Sequence, residues 1–510
     1  MNFNKRSRNA NAMLATSAGL VQQVVQILGN FIYRTVFLMI LSKEYLGING
    51  LFSNILQLFS LAELGIGSAI LYSMYKPFAD QNEEKISALV RFYKRVYNTI
   101  AILVLVIGLC FYPFIESVVN VSEVPGDVNL TVVYFLFVLQ SVASYLFVYK
   151  QSLLTADQRA HIVSLFSAGL LLFSFLVRIV VLLLSRNYVL VLGCDIGANI
   201  LLSWLFSLWI TKKYRSIFKA KGYLEKAEKQ KIYKDTGGLL CHKIGTVIVT
   251  STDNIVLSKY ISLAAVGIYS NYAIIVISVT NVAIRALSSL IPTIANYVLN
   301  KTKAESHDLF KRLLFANLWI SGFTTVCLYL LLNPFIELWL DSSYLLPQAA
   351  VLWICLQHYL QVSRLTANNF INGCGLFMKD RVRPLFESVI NLTVSIVLAK
   401  KIGLPGVFIG TCVSGICTYF WREPHLLYKH YFISGAGQFW LIQLGCFALT
   451  AGLCYGGSLL LAPIGNSLLG FVAKALLAAV LPNVIILLLT FRSPQCRYFL
   501  GFLKRKFIRK

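Results

Sequence analysis

Apolar residues gather into fourteen stretches of helical length along this chain, with polar gaps between them. They run roughly over 12–41, 46–75, 95–115, 128–149, 160–184, 188–210, 238–259, 263–292, 310–332, 346–372, 384–399, 405–421, 438–461 and 467–491. A helix rises 1.5 Å per residue, so about 20 residues cross a hydrocarbon core of about 30 Å. Most of the stretches approach or exceed that length. The pattern predicts an all-α integral membrane protein with about fourteen transmembrane helices.

Charge gives the chain a direction. Of 46 Lys and Arg residues, 35 fall in alternate gaps: 1–11, 76–95, 150–159, 211–237, 297–312, 373–383, 422–437 and 492–510. The intervening gaps hold only Lys43, Arg186, Lys259, Lys400 and Lys401. Basic residues are retained on the cytoplasmic side, so both termini are expected there. An apolar fraction of 57% excludes an ordinary soluble protein, which runs near about 45–50%. The net charge of +25 then reads as topological. It faces anionic inner-leaflet lipids rather than nucleic acid, with the 211–237 gap and the tail from Lys504 to Lys510 on the membrane surface.

The first apolar run exceeds a signal-peptide core and contains Gln22, Gln23, Gln26 and Asn30, so it is expected to stay as a helix. Eleven cysteines show neither CxxC nor zinc spacing and read as small buried hydrophobes; no cofactor or metal is implied. The longest gap, 211–237, is too short to fold as a domain, and no GxxxxGK[ST] occurs. These features point away from an enzyme.

An internal echo organises the helices. Leu41-Ser42-Lys43 followed by Gly47-Ile48 returns as Leu257-Ser258-Lys259 followed by Gly267-Ile268, six helices later and with the same polarity. It predicts two six-helix lobes related as parallel repeats, plus two appended helices. The expected boundaries are an N-lobe over 1–211, a basic cytoplasmic linker over 212–237, a C-lobe over 238–428, and a final pair of helices with the basic tail over 429–510.

Several stretches carry a polar face, which lipid contact does not require. Thr16, Gln23, Gln26, Asn30 and Arg34 fall within about 80° on the first helix. Asn49, Ser53, Gln57, Ser60 and Glu63 do so on the second, and Lys243, Thr246, Thr250, Asp253 and Asn254 on the seventh. Asn271, Ser278 and Arg285 recur at heptad spacing on the eighth; Gln357, Gln361, Arg364 and Asn368 line the tenth. Interhelical hydrogen bonding accounts for Ser, Thr and single amides. It accounts poorly for Arg and Lys, each costing about 2.5–3.5 kcal/mol at mid-bilayer. A water-filled cavity lined by the first, second, seventh and eighth helices is the alternative, and its cations Arg34, Lys243, Arg285 and Arg364 suit an anionic, phosphate-bearing substrate. Arg178 and Asp195 lie equally far from one short turn and are expected to pair with each other. Glu63, Asp253 and Glu387 are candidate proton or cation sites. His161 and His358 read as cavity or packing residues.

Two segments carry a family resemblance: Tyr45-Leu-Gly-Ile-Asn-Gly-Leu-Phe-Ser-Asn-Ile through Leu61-Ala-Glu-Leu-Gly-Ile-Gly-Ser-Ala-Ile, and Gly245-Thr-Val-Ile-Val-Thr-Ser-Thr-Asp-Asn-Ile-Val-Leu-Ser with Val266-Gly-Ile-Tyr-Ser-Asn-Tyr. They resemble the oligosaccharide flippases of the multidrug/oligosaccharidyl-lipid/polysaccharide exporter superfamily, and most of all the branch serving O-antigen and capsule. The resemblance implies a multi-pass protein of a bacterial cytoplasmic membrane, with two MATE-like bundles rocking about a cationic cavity to which Arg34 and Arg285 belong. Its substrate would be an undecaprenyl-pyrophosphate-linked repeat unit, and a polysaccharide polymerase and glycosyltransferases would be its partners. A lipid II-type flippase, a multidrug/cation antiporter of the same fold and a membrane-embedded polymerase or glycosyltransferase are the rival readings.

In a cysteine-free background, impermeant thiol reagents added to intact cells should label cysteines placed at Asp127 and Tyr344. They should spare Gly222, Lys303 and Lys379. Labelling in the 211–237 gap would invert the orientation.

Overall fold

Polar capping residues divide the apolar stretches into separate helices. Asn82 accepts from Lys85 N at 2.9 Å, with Glu83 and Glu84 in the first turn that follows. Asn129 and Asn187 accept from Val132 N and Leu190 N in the same way. Thr302 and Glu305 form a reciprocal capping box, and Ser467 starts the last long helix. Such a cap contributes about 1 kcal/mol.

The computed structural model describes residues 8–59, 63, 66–432, 434–499 and 501. Among these, side chains are described for all but 8–13, 16, 68, 121, 231, 234–243, 246, 250 and 377. The described residues form helices and turns without strands. Eleven helices are long and apolar enough to cross a membrane. The chain divides into two compact units, Met1–Gly267 and Ile268–Lys510.

The first unit contains α1 (Arg8–Ile40), α2 (Lys43–Phe59), α3 (Ile66–Ala79), α4 (Glu83–Phe111), α5 (Ile115–Val118), α6 (Leu130–Ala156), α7 (Ala160–Ser185), α8 (Tyr188–Lys213), α9 (Arg215–Lys219) and α10 (Lys226–Tyr260). Helix α11 (Leu263–Ser288) begins in it and continues into the second. There follow α12 (Ile291–Asn300), α13 (Lys303–Trp339), α14 (Gln348–Ser363), α15 (Leu365–Gly373), α16 (Arg383–Ile402), α17 (Leu404–Gly415), α18 (Trp421–Leu427), α19 (Gly437–Leu461) and α20 (Leu468–Thr490). Ile416–Phe420 and Tyr428–Phe432, on either side of α18, are wound as π-helix.

Three predicted stretches are not among the eleven spans. The 46–75 stretch is shared by α2 and α3, and 346–372 by α14 and α15, which meet at Arg364. The 238–259 stretch is the end of α10, which starts at Lys226 because Glu225 and Glu228 form a capping box there. Its first three turns are polar, so apolar periodicity alone does not reveal them.

In the first unit α1 packs on α7, α4 on α6, and α2 on α10. The sequence echo acquires a structural meaning here. A Cβ on Gly47 would lie 2.1 Å from Leu263 O, and one on Gly267 would lie 2.1 Å from Lys43 O. The first turns of α2 and α11 therefore cross backbone against backbone, and only glycine permits that approach. The segment between α5 and α6 fastens the crossing. Tyr45 Oη donates to Asp127 Oδ1 at 2.5 Å, and Leu263 N donates to Glu123 Oε2 at 2.6 Å.

The basic gap folds back on α4. Ser87 Oγ donates to Ala220 O at 2.8 Å, Arg91 Nη2 to Gly222 O at 2.8 Å, and Lys85 pairs with Glu228. A Cβ at Gly222 would fall 1.8 Å from Glu84 O, so a topology label in this gap belongs on Tyr223, which is 78% exposed. The tail from Lys504 to Lys510 lies outside the described residues.

In the second unit α16 packs on α17, and α13 serves as a central post for α14, α19 and α20. Trp319 Nε1 donates to Asn483 Oδ1 at 2.7 Å and Cys327 Sγ to Ala478 O at 3.3 Å, tying α20 to α13.

Gly47→Ala and Gly267→Ala should each destabilise the protein by about 1–3 kcal/mol through overpacking. Gly169→Ala, where open space surrounds the glycine, should be neutral or stabilising. Thermal unfolding of purified protein checks this, and an unchanged midpoint for Gly267→Ala would contradict the crossing.

Candidate functional site

The polar stripe of α1 survives as one helix face. Gln23, Asn30 and Arg34 are half-buried on it and Gln26 is exposed; Thr16 has no described side chain. The neighbouring face fixes the helix. A Cβ on Gly29 would meet the Phe175 ring at 2.2 Å, so α1 lies directly on α7 there. Tyr33, beside Arg34, stacks edge-on with Phe37 at 5.6 Å between centroids.

Arg178 and Asp195 meet under that contact. Arg178 Nη2 stands 2.6 Å from Asp195 Oδ2, and its guanidinium lies 5.5 Å from the centre of the Tyr33 ring. Ser174 and Asn199 donate to Asp195 Oδ1. The carboxylate is thereby filled, consistent with a side-chain exposure of only 2%.

Of the other first-unit candidates, Gln57 is exposed on α2. Glu63 lies in the break between α2 and α3, where Tyr97 Oη donates to its Oε1 at 2.5 Å. No described cation forms an ion pair with it. Asp253 is buried on α10. Lys243 lies on the same helix, but its side chain falls outside the described residues, as do Ser60, Thr246 and Thr250.

In the second unit, Asn271 is fully buried with both amide atoms unbonded among the described residues. About four turns further along α11, Arg285 is exposed and has no described carboxylate within ion-pair distance. A buried amide lacking partners calls for water or a ligand, since desolvation without a bond costs about 1–3 kcal/mol.

Arg364 differs from the sequence expectation. Its Nε donates to Glu423 Oε2 at 3.1 Å, its Nη2 pairs with Oε1, and its guanidinium lies 4.1 Å over the Tyr419 ring. Arg383 joins the cluster, 3.7 Å from Glu423 Oε1, 2.7 Å from Asp380 Oδ2 and paired with Glu387. Arg422 completes it at 3.3 Å from Asp380 Oδ1. Three guanidinium groups face three carboxylates, so the network is closed and neutral. Glu387 is accordingly an arginine partner. The sequence reading missed Glu423, Asp380 and Arg383; the i,i+3 and i,i+4 spacing of Asp380, Arg383 and Glu387 was the available signal. Lys474 is likewise held, donating to Asn466, which in turn donates to Glu337.

No family model and no curated protein matches the chain. Among solved structures it is similar to lipid II flippase MurJ in an inward closed conformation, with a TM-score of 0.67 at 17% identity over 94% of this chain and 99% of that one. It is also similar to an inward-facing multidrug resistance MATE family transporter of the MOP superfamily, with 0.59 at 14% identity over 82% and 99%. The Vibrio cholerae MATE transporter VcmN in its bent form gives 0.51 at 13% over 83% and 97%. These likenesses establish the fold: a multi-pass, all-helical membrane protein built like the MOP superfamily transporters.

Arg178→Ala should strand Asp195 and cost about 3–5 kcal/mol, lowering the amount of folded protein in the membrane. Arg364→Gln with Glu423→Gln should cost less than the sum of the two single changes, because each single change leaves an unpaired buried charge. Expression level and thermal midpoint read both effects; strict additivity would deny the pairing.

Proposed function

We propose that this protein moves an undecaprenyl-pyrophosphate-linked oligosaccharide repeat unit from the inner to the outer leaflet of a bacterial cytoplasmic membrane by alternating access, for surface polysaccharide synthesis. The observation that carries the reading is Arg285: an exposed guanidinium on an apolar helix, without a described ion-pair partner, where Arg312, Arg364, Arg383 and Arg422 of the same unit are each paired with a carboxylate. A planar fork with free donors suits a pyrophosphate. Arg34, Lys243 and the amides Gln23, Gln26, Asn30, Gln57 and Asn271 are the further residues proposed to bind the headgroup. Arg364 stabilises the site's frame through Glu423.

The lobes proposed are 1–211 and 238–428, joined by the 212–237 linker and followed by the two final helices. Pyrophosphate and sugars cannot enter hydrocarbon, while the polyprenyl tail need not leave it. With the cytoplasm negative, each negative charge carried outward gains about 2.3 kcal/mol per 100 mV. Glu63 and Asp253 are the proposed ion-coupling carboxylates. A polymerase and glycosyltransferases would act on either side of this step.

A lipid II-type precursor is the second reading, favoured by the MurJ likeness, which covers 94% of this chain against 82% for the MATE transporter. Both substrates share the polyprenyl pyrophosphate.

Arg285→Ala and Arg34→Ala should each lower polymer export about tenfold or more, the loss expected for one charge-assisted hydrogen bond. Arg→Lys should retain part of it. Lipid-linked repeat units should accumulate on the cytoplasmic side while protein abundance holds. Normal export from the double alanine variant would overturn anion binding as the basis of transport.

A further inference from the structure

His358 on α14 is 1% exposed and is clasped by hydroxyls from two other helices. Its Nδ1 lies 2.7 Å from Thr280 Oγ1 of α11, and its Nε2 lies 2.8 Å from Thr324 Oγ1 of α13. Each threonine is also bonded to the carbonyl four residues back. Thr280 Oγ1 stands 2.7 Å from Val276 O, and Thr324 Oγ1 2.8 Å from Ile320 O.

A hydroxyl has one hydrogen, which decides the protonation of the ring. When both hydrogens point to the backbone carbonyls, both threonine oxygens face the ring as acceptors. Both ring nitrogens must then donate, and only the imidazolium has two N–H groups. A neutral ring leaves one nitrogen bare, so one threonine must turn its hydrogen away from its carbonyl and toward that nitrogen. The clasp therefore has two complete arrangements, differing by one proton and one hydroxyl rotation.

We propose that His358 is a proton-binding site whose occupancy switches the hydroxyl hydrogens of Thr280 and Thr324, linking α11, α13 and α14. The surroundings offer the bound proton no counter-ion. Helices α14, α15, α17 and α19 contain no charged residue, apart from Arg364 at the α14–α15 junction, which Glu423 holds. The other titratable groups on the packed elements are Cys355 and Tyr359 on α14, His307, Cys327 and Tyr329 on α13, Cys412 on α17, Cys417 and Tyr419 beyond it, and Cys446, Cys454 and Tyr455 on α19. On α13 the nearest charges to Thr324 are Arg312 and Glu337, about 18 Å or more along the axis at 1.5 Å per residue. On α11, Tyr269 and Tyr272 precede Thr280. Arg285 follows it by five residues, about 7.5 Å.

Two cationic centres then share α11: His358 through Thr280, and Arg285 directly. An anion bound at Arg285 relieves the repulsion and favours the proton, and by reciprocity the proton favours the anion. This coupling rests on the proposed role of Arg285; the proton site itself does not.

The test is ¹⁵N-histidine NMR of the full chain in lipid nanodiscs between about pH 4 and 9, the range that spans histidine ionisation. Among six histidines, the His358 signal is identified by its loss in His358→Gln, or by its shift in the threonine variants should that protein fail to fold. The expected result is a ring with two N–H groups at low pH that becomes a single neutral tautomer as pH rises. Thr280→Val with Thr324→Val should lower the midpoint by about one pH unit, a tenfold loss of proton affinity, because the acceptors are gone. A ring that stays neutral throughout, or a midpoint indifferent to both threonines, overturns the proton site. Inorganic pyrophosphate should raise the midpoint in the parent protein and leave it unmoved in Arg285→Ala. A proton site that titrates as expected but ignores pyrophosphate overturns the coupling to Arg285 alone.

Discussion

A guanidinium packed among apolar helices must be met by an acceptor, because its apolar neighbours supply none. That requirement organises both compact units. In the first, Arg178 fills Asp195 and lies on Tyr33, so the ion pair also seats α1 against α7. In the second, Arg364, Arg383 and Arg422 close a neutral network with Glu423, Asp380 and Glu387 around the Tyr419 ring. Arg285 lies outside that rule, and a charge left without a described partner on an apolar helix is where a substrate can supply what the protein does not.

The irregular winding of the second unit follows the same charges. Helices α14 and α15 are separate because the chain turns at Arg364, and π-helical segments flank the short α18 that carries Glu423. A wider turn redirects side chains and interrupts the regular bonding ladder, which is tolerated where side chains or water supply replacements. Arg383 and Glu423 are almost wholly buried, and taking such charges out of water is costly, so removing one partner destabilises more than replacing both.

Much of the fold was legible because the bilayer imposes one period and one length. The apolar stretches located the eleven spans, and the spacing of Arg178 and Asp195 about one short turn foretold that they would face each other. The polar start of α10 was invisible to that method, since it is fixed by the Glu225–Glu228 capping box rather than by apolar periodicity. The partners of Arg364 were hidden for another reason. Glu423 lies 59 residues away, and long-range pairing leaves no local trace. His358 looked like a packing residue because its significance depends on two hydroxyls from other helices, which no spacing reveals. The Gly47 and Gly267 echo was visible as a repeat, whereas its crossing of backbones was not.

The most direct measurement of the central claim is the affinity of the purified protein for three lipids sharing one polyprenyl tail: the pyrophosphate, the monophosphate and the uncharged alcohol. If cationic side chains hold the headgroup, affinity should fall in that order, and the advantage of the pyrophosphate should shrink as salt rises. Equal affinity for the pyrophosphate and the alcohol would contradict the account, leaving the tail as the recognised element and Arg285 without a role in binding.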